Sequence, residues 1–261
     1  MRDALAGIKT ANGSPVLETD GEARRAVAHD LAVLGEAARS PKPRLAHPGQ
    51  GESSADRETK TERSPNVRWQ GSRLTRAHRW RSLGQAGATV WFTGLPGAGK
   101  STVATAVEER LVAAGRPAFL LDGDNLRHGL NGDLGFDELA RCENVRRTAH
   151  VARLLAESGM IALVSLISPY IADRQTAAAL HAAEDLRFLE VFVSTPLEEC
   201  EERDPKGLYA RARAGELKNL TGVGAPYEPP THPDLVLHTC SESVHDEVER
   251  VLELLAAPRP R

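Results

Sequence analysis

Residues 94–101 read GLPGAGKS, and this stretch decides the fold of the chain. It fits the pattern G-x-x-x-x-G-K-[ST], in which a glycine-rich loop lets backbone N–H groups point inward at phosphate oxygens. We expect Lys100 to reach the β- and γ-phosphates of a nucleoside triphosphate and the Ser101 hydroxyl to ligate Mg²⁺. The predicted ATP contacts are Gly94, Leu95, Pro96, Gly97, Ala98, Gly99, Lys100, Ser101 and Thr102.

The flanks of this loop predict the context that the motif requires. Residues 88–93 form a short apolar run rich in β-branched side chains, which favours a buried strand. Residues 101–114 have the apolar spacing of a helix, and Gly115 follows as a stop signal. A strand, a glycine-rich loop and a helix in this order indicate a phosphate-binding loop (P-loop) rather than a chance glycine-rich turn.

The rest of the chain alternates predicted strands and helices. This alternation is typical of a parallel sheet covered by helices on both faces. We therefore predict an α/β fold of the P-loop nucleoside triphosphate hydrolase-like class, with a parallel sheet of about five strands. The further strands are expected at 118–121, 160–167, 188–193 and 234–238, and the further helices at 138–158, 172–184, 196–203 and 243–256.

Bulk composition excludes several classes of protein. The 261 residues include 33 basic and 36 acidic side chains, a balance that argues against nucleic-acid binding. No apolar run approaches the length of a membrane span, and the N-terminus lacks an apolar signal core, so we expect a cytoplasmic protein. The three cysteines are far apart, which predicts neither a disulfide framework nor a zinc site.

The chain divides into an N-terminal extension and a globular domain. Residues 1–63 are expected to be largely disordered, with one amphipathic helix at 21–39, because the region around 41–65 is too polar to bury a core. The globular domain is expected at 64–261. Trp69 and Trp80 begin it within a basic stretch, which we interpret as a packing or subunit-contact segment rather than a nucleic-acid arm.

A phosphate loop alone does not separate a GTPase, an ATP-driven motor and a small-molecule kinase. Asp122 and Asp124 follow the strand predicted at 118–121, at the edge of the sheet where ligands bind. A carboxylate there can hold Mg²⁺ or accept the proton of an attacking hydroxyl. This position favours a kinase.

Basic side chains indicate that the acceptor is an anion. Guanidinium forks suit phosphate or sulfate, and Arg127, Arg141 and Asn144 lie near the same predicted edge. The polar segment at 204–230 carries Lys206 and several arginines and is predicted to be a mobile lid. A lid brings positive charge to the transferring group and excludes water. On spacing alone, a basic surface helix is nearly as good an interpretation of this segment.

Eight segments, taken together and in order, resemble adenylyl-sulfate kinase (APS kinase). The resemblance covers about residues 66–239 and implies ATP- and Mg²⁺-dependent phosphorylation of the 3′-hydroxyl of adenosine 5′-phosphosulfate (APS). The product would be 3′-phosphoadenosine 5′-phosphosulfate (PAPS), made in sulfate assimilation, and the family suggests a homodimer. The segments are TVWFTGL (89–95), LDGDNLRHGL (121–130), NGDLGF (131–136), RCENVRR (141–147), ISPY (167–170), DPKGLY (204–209), ARAGE (212–216) and APYE (225–228).

The resemblance also implies roles for individual residues. Phe136 would stack on the APS adenine, and Ser101 and Asp124 would hold Mg²⁺ directly or through water. The family labels the Ser168 position a phosphoserine intermediate, although in-line transfer needs only positioning, Mg²⁺ and charge stabilisation. The implied catalytic residues are Lys100, Asp124, Ser168 and Lys206. The implied acceptor-binding residues are Asp124, Arg127, Phe136, Arg141, Asn144, Ile167, Ser168 and Leu220.

Two positions depart from the family pattern. Leu220 stands where similar proteins have a phenylalanine that stacks on the APS adenine, so an aromatic contribution of about 0.5–1.5 kcal/mol is lost and weaker APS binding is expected. Ile171 stands where the family usually has arginine, which removes one charge near the site.

Two other functions are compatible with the motifs. One is a P-loop kinase of another small acceptor, which the arginine set disfavours because a neutral acceptor has little use for it. The other is a non-catalytic nucleotide-binding homologue, which intact Lys100, Ser101 and Asp124 disfavour. No sulfurylase domain is predicted in this sequence.

Overall fold

The computed structural model describes residue 68 and residues 70–258. The predicted extension at 1–63, its helix at 21–39 and Trp69 lie outside these residues. In chain order the described elements are α1 Arg76–Leu83, β1 Ala88–Thr93, α2 Lys100–Ala113, β2 Ala118–Asp122, α3 Gly123–Leu126, α4 Glu138–Ser158, β3 Ile161–Ser165, α5 Ile171–Ala182, β4 Arg187–Val193, α6 Leu197–Arg203, α7 Leu208–Arg213, β5 Leu235–Leu237 and α8 Val244–Ala256.

The five strands form one parallel sheet in the order β2-β3-β1-β4-β5. Strand β1 lies at the centre, and all six of its residues are buried. Because successive side chains of a strand face opposite sides, Phe92 packs with α2 and α8 while Trp91 packs with α4 and α5. The predicted α/β fold with helices on both faces of a five-stranded sheet is confirmed.

Local signals define most of the element boundaries. Helix α4 begins after Asp137, which accepts a hydrogen bond from the Ala140 N–H, and ends at Gly159, whose φ of 105° is left-handed. These are the predicted bounds. Strand β3 is shorter than the predicted 160–167, and β5 has three residues instead of five.

Three short helices were not predicted as such. Helix α3 is capped by the Asp122 carboxylate, and α7 lies inside the segment predicted to be a lid. Helix α1 carries Trp80, whose indole Nε1 donates to the Ala156 carbonyl over 3.2 Å. The packing role of Trp80 is therefore confirmed. None of the helices that the structure describes is long and apolar enough to cross a membrane.

Candidate active site

A cavity of about 610 Å³ lies at the carboxyl edge of the sheet. Its wall is built from the glycine-rich loop, the ends of β2 and β3, the first turns of α4 and residues of the 204–221 segment. The cavity brings together most of the residues singled out from sequence: Pro96, Gly97, Gly99, Lys100, Ser101, Thr102, Asp124, Arg127, Phe136, Arg141, Asn144, Ile167, Ser168, Lys206 and Leu220. Gly94, Leu95 and Ala98 belong to the loop but not to the wall of the cavity.

The glycine-rich loop has a backbone conformation that residues with a side chain would adopt only with strain. Gly97 and Gly99 have φ values of 74° and 103°, in the left-handed region. At Gly94, a Cβ atom would stand 2.6 Å from the Val193 carbonyl oxygen. Helix α2 begins directly after the loop, so its unpaired N–H groups and positive dipole end face the cavity. The loop is therefore built to hold an anion such as a triphosphate.

Lys100 is held by its own loop. Its side chain is buried, and Nζ donates to the Leu95 carbonyl over 2.7 Å. Burial lowers the pKa of the Lys100 ammonium from 10.5 to about 8, because the charged form loses hydration. A triphosphate would supply the negative charge that this buried ammonium lacks.

Ser101 pairs with Asp122, the last residue of β2. The Ser101 hydroxyl donates to Asp122 Oδ2 over 2.6 Å and lies 3.0 Å from the Ser165 hydroxyl. The other oxygen of Asp122 accepts the Asp124 N–H over 3.0 Å. Hydroxyl and carboxylate oxygens are the ligands that Mg²⁺ prefers, so this donor set fits the metal. The sequence-based metal pair named Asp124 instead of Asp122.

Asp124 contacts Lys206 rather than Ser101. The Lys206 ammonium donates to Asp124 Oδ2, and both side chains are more than half exposed. An exposed pair of this kind contributes little stability and separates readily. Nearby, the Tyr209 hydroxyl donates to the Pro96 carbonyl over 2.9 Å, which fastens helix α7 to the glycine-rich loop.

Arg127 and Arg141 brace another part of the cavity wall. Arg127 donates to the Leu134 carbonyl over 2.9 Å, and its guanidinium lies 4.1 Å from the centre of the Phe136 ring. Arg141 donates to the Phe136 carbonyl over 2.8 Å, to the Thr221 hydroxyl and to the Asn219 carbonyl. Burial lowers the pKa of both guanidinium groups. These arginines support the wall and also contribute positive charge to the cavity.

Ser168 has a buried hydroxyl in a strained backbone. Its φ is 40°, outside the usual range for a residue with a side chain. The hydroxyl receives a hydrogen bond from Trp91 Nε1 over 3.0 Å and donates to Thr93 Oγ1 over 3.0 Å. These partners include no carboxylate or imidazole that would activate the hydroxyl as a nucleophile.

Arg174 holds this backbone in place and was missed in the sequence. Its guanidinium donates to the Ser168 carbonyl over 2.6 Å and to the Glu228 carbonyl over 2.7 Å, and it pairs with Glu190. The side chain is 2% exposed. Nothing in the residue spacing signals these contacts, because they depend on the tertiary fold and one partner, Glu228, is 54 residues away.

The two departures from the family pattern occupy different environments. Leu220 lines the cavity and is buried in the same apolar cluster as α2 and α8. Phe136, by contrast, is 63% exposed at the cavity wall. Ile171 begins α5, where its N–H donates to Glu228 Oε2, and it is not part of the wall.

Comparison with known proteins gives a family match over more than half of the chain. The family model described as adenylylsulphate kinase matches residues 86–238. The adenylyl-sulfate kinase of Clostridium acetobutylicum is 47% identical over 193 residues, which are 74% of this chain and 95% of that protein. The bifunctional enzyme NodQ of a Rhizobium species is 52% identical, but the match covers 72% of this chain and only 29% of that protein.

A solved structure matches the same part of the chain. It is the Mycobacterium tuberculosis APS kinase CysC in complex with AMPPNP and APS. The sequences are 52% identical, the TM-score is 0.65, and the match covers 66% of this chain and 99% of that one. A hexameric APS kinase from Thiobacillus denitrificans is 32% identical with a TM-score of 0.52, covering 69% of this chain and 31% of that one.

Proposed function

The chain belongs to the adenylylsulphate kinase family, and from this premise we propose that it transfers the γ-phosphoryl group of ATP to the 3′-hydroxyl of APS. The products would be ADP and PAPS. The observation that carries the proposal is a shared cavity, whose lining includes both the glycine-rich loop and Arg127, Arg141 and Asn144. A site with a triphosphate loop on one side and an anion-binding wall on the other suits a kinase of an anionic acceptor.

The donor half would bind ATP through the glycine-rich loop and the first turn of α2. Loop N–H groups would hold the β-phosphate, and Lys100 would turn from the Leu95 carbonyl towards the β- and γ-oxygens. Ser101 and Asp122 would hold Mg²⁺, which neutralises charge on the β- and γ-phosphates when bound.

The acceptor half would orient APS for in-line attack. Arg127, Arg141 and Asn144 would bind the phosphosulfate, while Phe136 and Leu220 would contact the adenine. Asp124 would accept the proton of the 3′-hydroxyl as the 3′-oxygen bonds to the γ-phosphorus of ATP. At the same time, the bond between that phosphorus and the β–γ bridging oxygen would break, and ADP would leave.

The 204–221 segment would close the site. Lys206 is in reach of Asp124, and in the ternary complex it would pair with the transferring phosphoryl group instead, which frees the carboxylate to act as base. The Tyr209 contact to the loop at Pro96 would keep the segment over the nucleotide and exclude water.

The proposal extends to the assembly and its setting. A cytoplasmic homodimer that supplies PAPS in sulfate assimilation is supported by the resemblance to the family and not by any contact within one chain. Light scattering of the purified protein tests the dimer, because a mass of one chain, 28.2 kDa, would contradict it.

ADP release tests the proposed reaction. With ATP and Mg²⁺, the purified protein should release ADP only when APS is added. The Lys100→Ala variant should lose this turnover but still show cooperative thermal unfolding, which shows that it is folded. Adenosine 5′-phosphate, which lacks the sulfate, is the matched control acceptor. Turnover of a different small alcohol without turnover of APS would contradict the proposal.

A further inference from the structure

Asn131 lies behind the cavity wall and contacts one residue of that wall. It belongs to the loop between α3 and α4, where its backbone N–H donates to the Leu126 carbonyl over 2.9 Å. Its side chain is fully buried and does not line the cavity. Its amide Nδ2 donates to Asn144 Oδ1 over 2.6 Å. Asn144 lies in α4 and does line the cavity.

This bond fixes which end of the Asn144 amide faces the cavity. An asparagine amide has one accepting oxygen and one donating nitrogen. Since Asn131 occupies the oxygen of Asn144, the nitrogen is the end that remains for a bound molecule. A donor at this point matches the guanidinium groups of Arg127 and Arg141, which line the same wall. The opposite orientation would place a carbonyl oxygen against an anion.

The burial of Asn131 is unfavourable in itself. Its Oδ1 is buried and has no hydrogen-bond partner among the residues that the structure describes. A buried polar atom without a partner costs free energy, and an apolar side chain of similar size would avoid that cost. The one bond that the buried side chain donates runs to Asn144. We take this as evidence that Asn131 serves the cavity rather than the stability of the loop.

We propose that Asn131 is a positioning residue that holds the Asn144 amide with Nδ2 towards the acceptor, so that Asn144, like Arg127 and Arg141, presents a donor to its anionic group. The inference rests on the proposed function, because it concerns binding of APS. It assigns no chemical step to Asn131. Its effect therefore falls on KM for APS and not on KM for ATP.

A double-mutant cycle tests the inference. Asn131→Ala leaves the Asn144 amide able to rotate, and we expect KM for APS to rise about three- to tenfold, with KM for ATP unchanged. In an Asn144→Ala background, the same Asn131→Ala change should raise KM for APS no further, because the group that it positions is gone. An equal factor in both backgrounds, or a parallel rise in KM for ATP, would overturn the proposal.

Asn131→Asp is a second variant, in which the new side chain has nearly the same shape as the wild-type asparagine. A carboxylate only accepts, so it would turn Asn144 to donate inward and present its oxygen to the cavity. We expect KM for APS to rise by more than tenfold, and by more than with Asn131→Ala. Gln175→Glu adds the same charge at an exposed position of α5 outside the cavity lining and should leave KM for APS within about twofold. Unchanged APS binding in Asn131→Asp would refute the assigned orientation of Asn144.

The outcome separates this inference from the proposed function. Thermal unfolding with and without ATP shows whether each variant is folded, and Asn131→Asp keeps the test valid if Asn131→Ala does not fold. If the wild type fails to turn over APS, the proposed function is wrong. If the wild type turns over APS and both Asn131 variants match it, only the role of Asn131 is wrong.

Discussion

The hydroxyl of Ser101 donates to the carboxylate of Asp122 over 2.6 Å, across the gap between the glycine-rich loop and the end of β2. The neighbouring carboxylate, Asp124, contacts Lys206 instead. Two carboxylates separated by one glycine therefore face different partners. We infer that Asp122 belongs to the metal site and Asp124 to the acceptor.

Substitution of each carboxylate by its amide tests this division. Asp122→Asn should raise the Mg²⁺ concentration needed for half-maximal rate, because one oxygen ligand loses its charge. Asp124→Asn should lower kcat by about 10²–10⁴-fold at saturating Mg²⁺, the usual contribution of a general base. Initial rates over a Mg²⁺ titration at fixed ATP distinguish the two variants. A shifted Mg²⁺ requirement in Asp124→Asn alone would reverse the assignment.

The pH dependence of ATP use should report Lys100. Burial lowers its pKa to about 8 in the unliganded protein, so the ammonium loses its proton as pH rises through 8. We expect kcat/KM for ATP to fall about tenfold per pH unit above that value. The matched control is kcat/KM for APS at saturating ATP. This value should begin to fall only at a higher pH than the ATP profile, because the bound phosphates stabilise the Lys100 ammonium. A flat ATP profile up to pH 10 would contradict this account.

Leu220→Phe should strengthen APS binding. An aromatic ring that stacks on the adenine adds about 0.5–1.5 kcal/mol, which is about a two- to tenfold lower KM for APS. KM for ATP is the internal control and should not change. Because Leu220 is buried in an apolar cluster, the unfolding temperature shows whether the larger ring is accommodated. A folded variant with an unchanged KM for APS would mean that residue 220 does not contact the adenine.

Ser168→Ala should keep most of the activity. The hydroxyl is bound by Trp91 and Thr93 and has no base among these partners, so direct transfer to APS does not require it. We expect kcat to fall by less than about tenfold, mainly through lost positioning. Ser168→Gly is the matched variant, since glycine accepts the φ of 40° without strain. A phosphoserine intermediate would instead make both variants inactive.

Ionisation of the buried Glu247 carboxyl should make the protein less stable as pH rises. It is 1% exposed in α8, and burial raises the pKa of its carboxyl from 4.5 to about 7, with Glu242 adding to the rise and Arg203 and Arg250 opposing it. Between these values the folded state holds a proton that the unfolded state has lost, so stability from this group falls with rising pH.

Glu247→Gln removes this titration. The variant should therefore unfold at a higher denaturant concentration than the wild type at pH 8, with the gain shrinking as pH falls from 7 towards 4.5. Denaturant unfolding at several pH values measures the difference. A gain that is independent of pH would show that the carboxyl is ionised in the fold throughout this range.

Local sequence signals were sufficient for the fold and for much of the cavity. Both ends of helix α4 agree with the predicted range 138–158, because Asp137 and Gly159 mark these ends in the sequence itself. The glycine-rich loop was recognised for the same reason, since its strand and helix are its immediate neighbours. Asp124 and Ser168 lie in one cavity because they follow β2 and β3, and parallel strands bring their carboxyl ends to one edge.

Other features of the site depend on tertiary contacts and could not be predicted from the sequence. Whether Asp122 or Asp124 turns towards Ser101 depends on the short helix α3, which the Asp122 side chain caps. Arg174 reaches the Glu228 carbonyl, 54 residues away, and no periodic pattern records such a contact. Asn131 lies in the segment NGDLGF (131–136), but its role depends on packing behind the cavity wall, which no sequence pattern records. The predicted extension at 1–63 stays a prediction.

The position of the transferred phosphate tests the central claim most directly. Wild-type protein incubated with ATP, Mg²⁺ and APS should yield one ADP for each APS consumed, with ³¹P NMR and mass spectrometry placing the new phosphate on the 3′-oxygen of APS. Product phosphorylated elsewhere, or ADP formed while APS stays intact, would contradict the account.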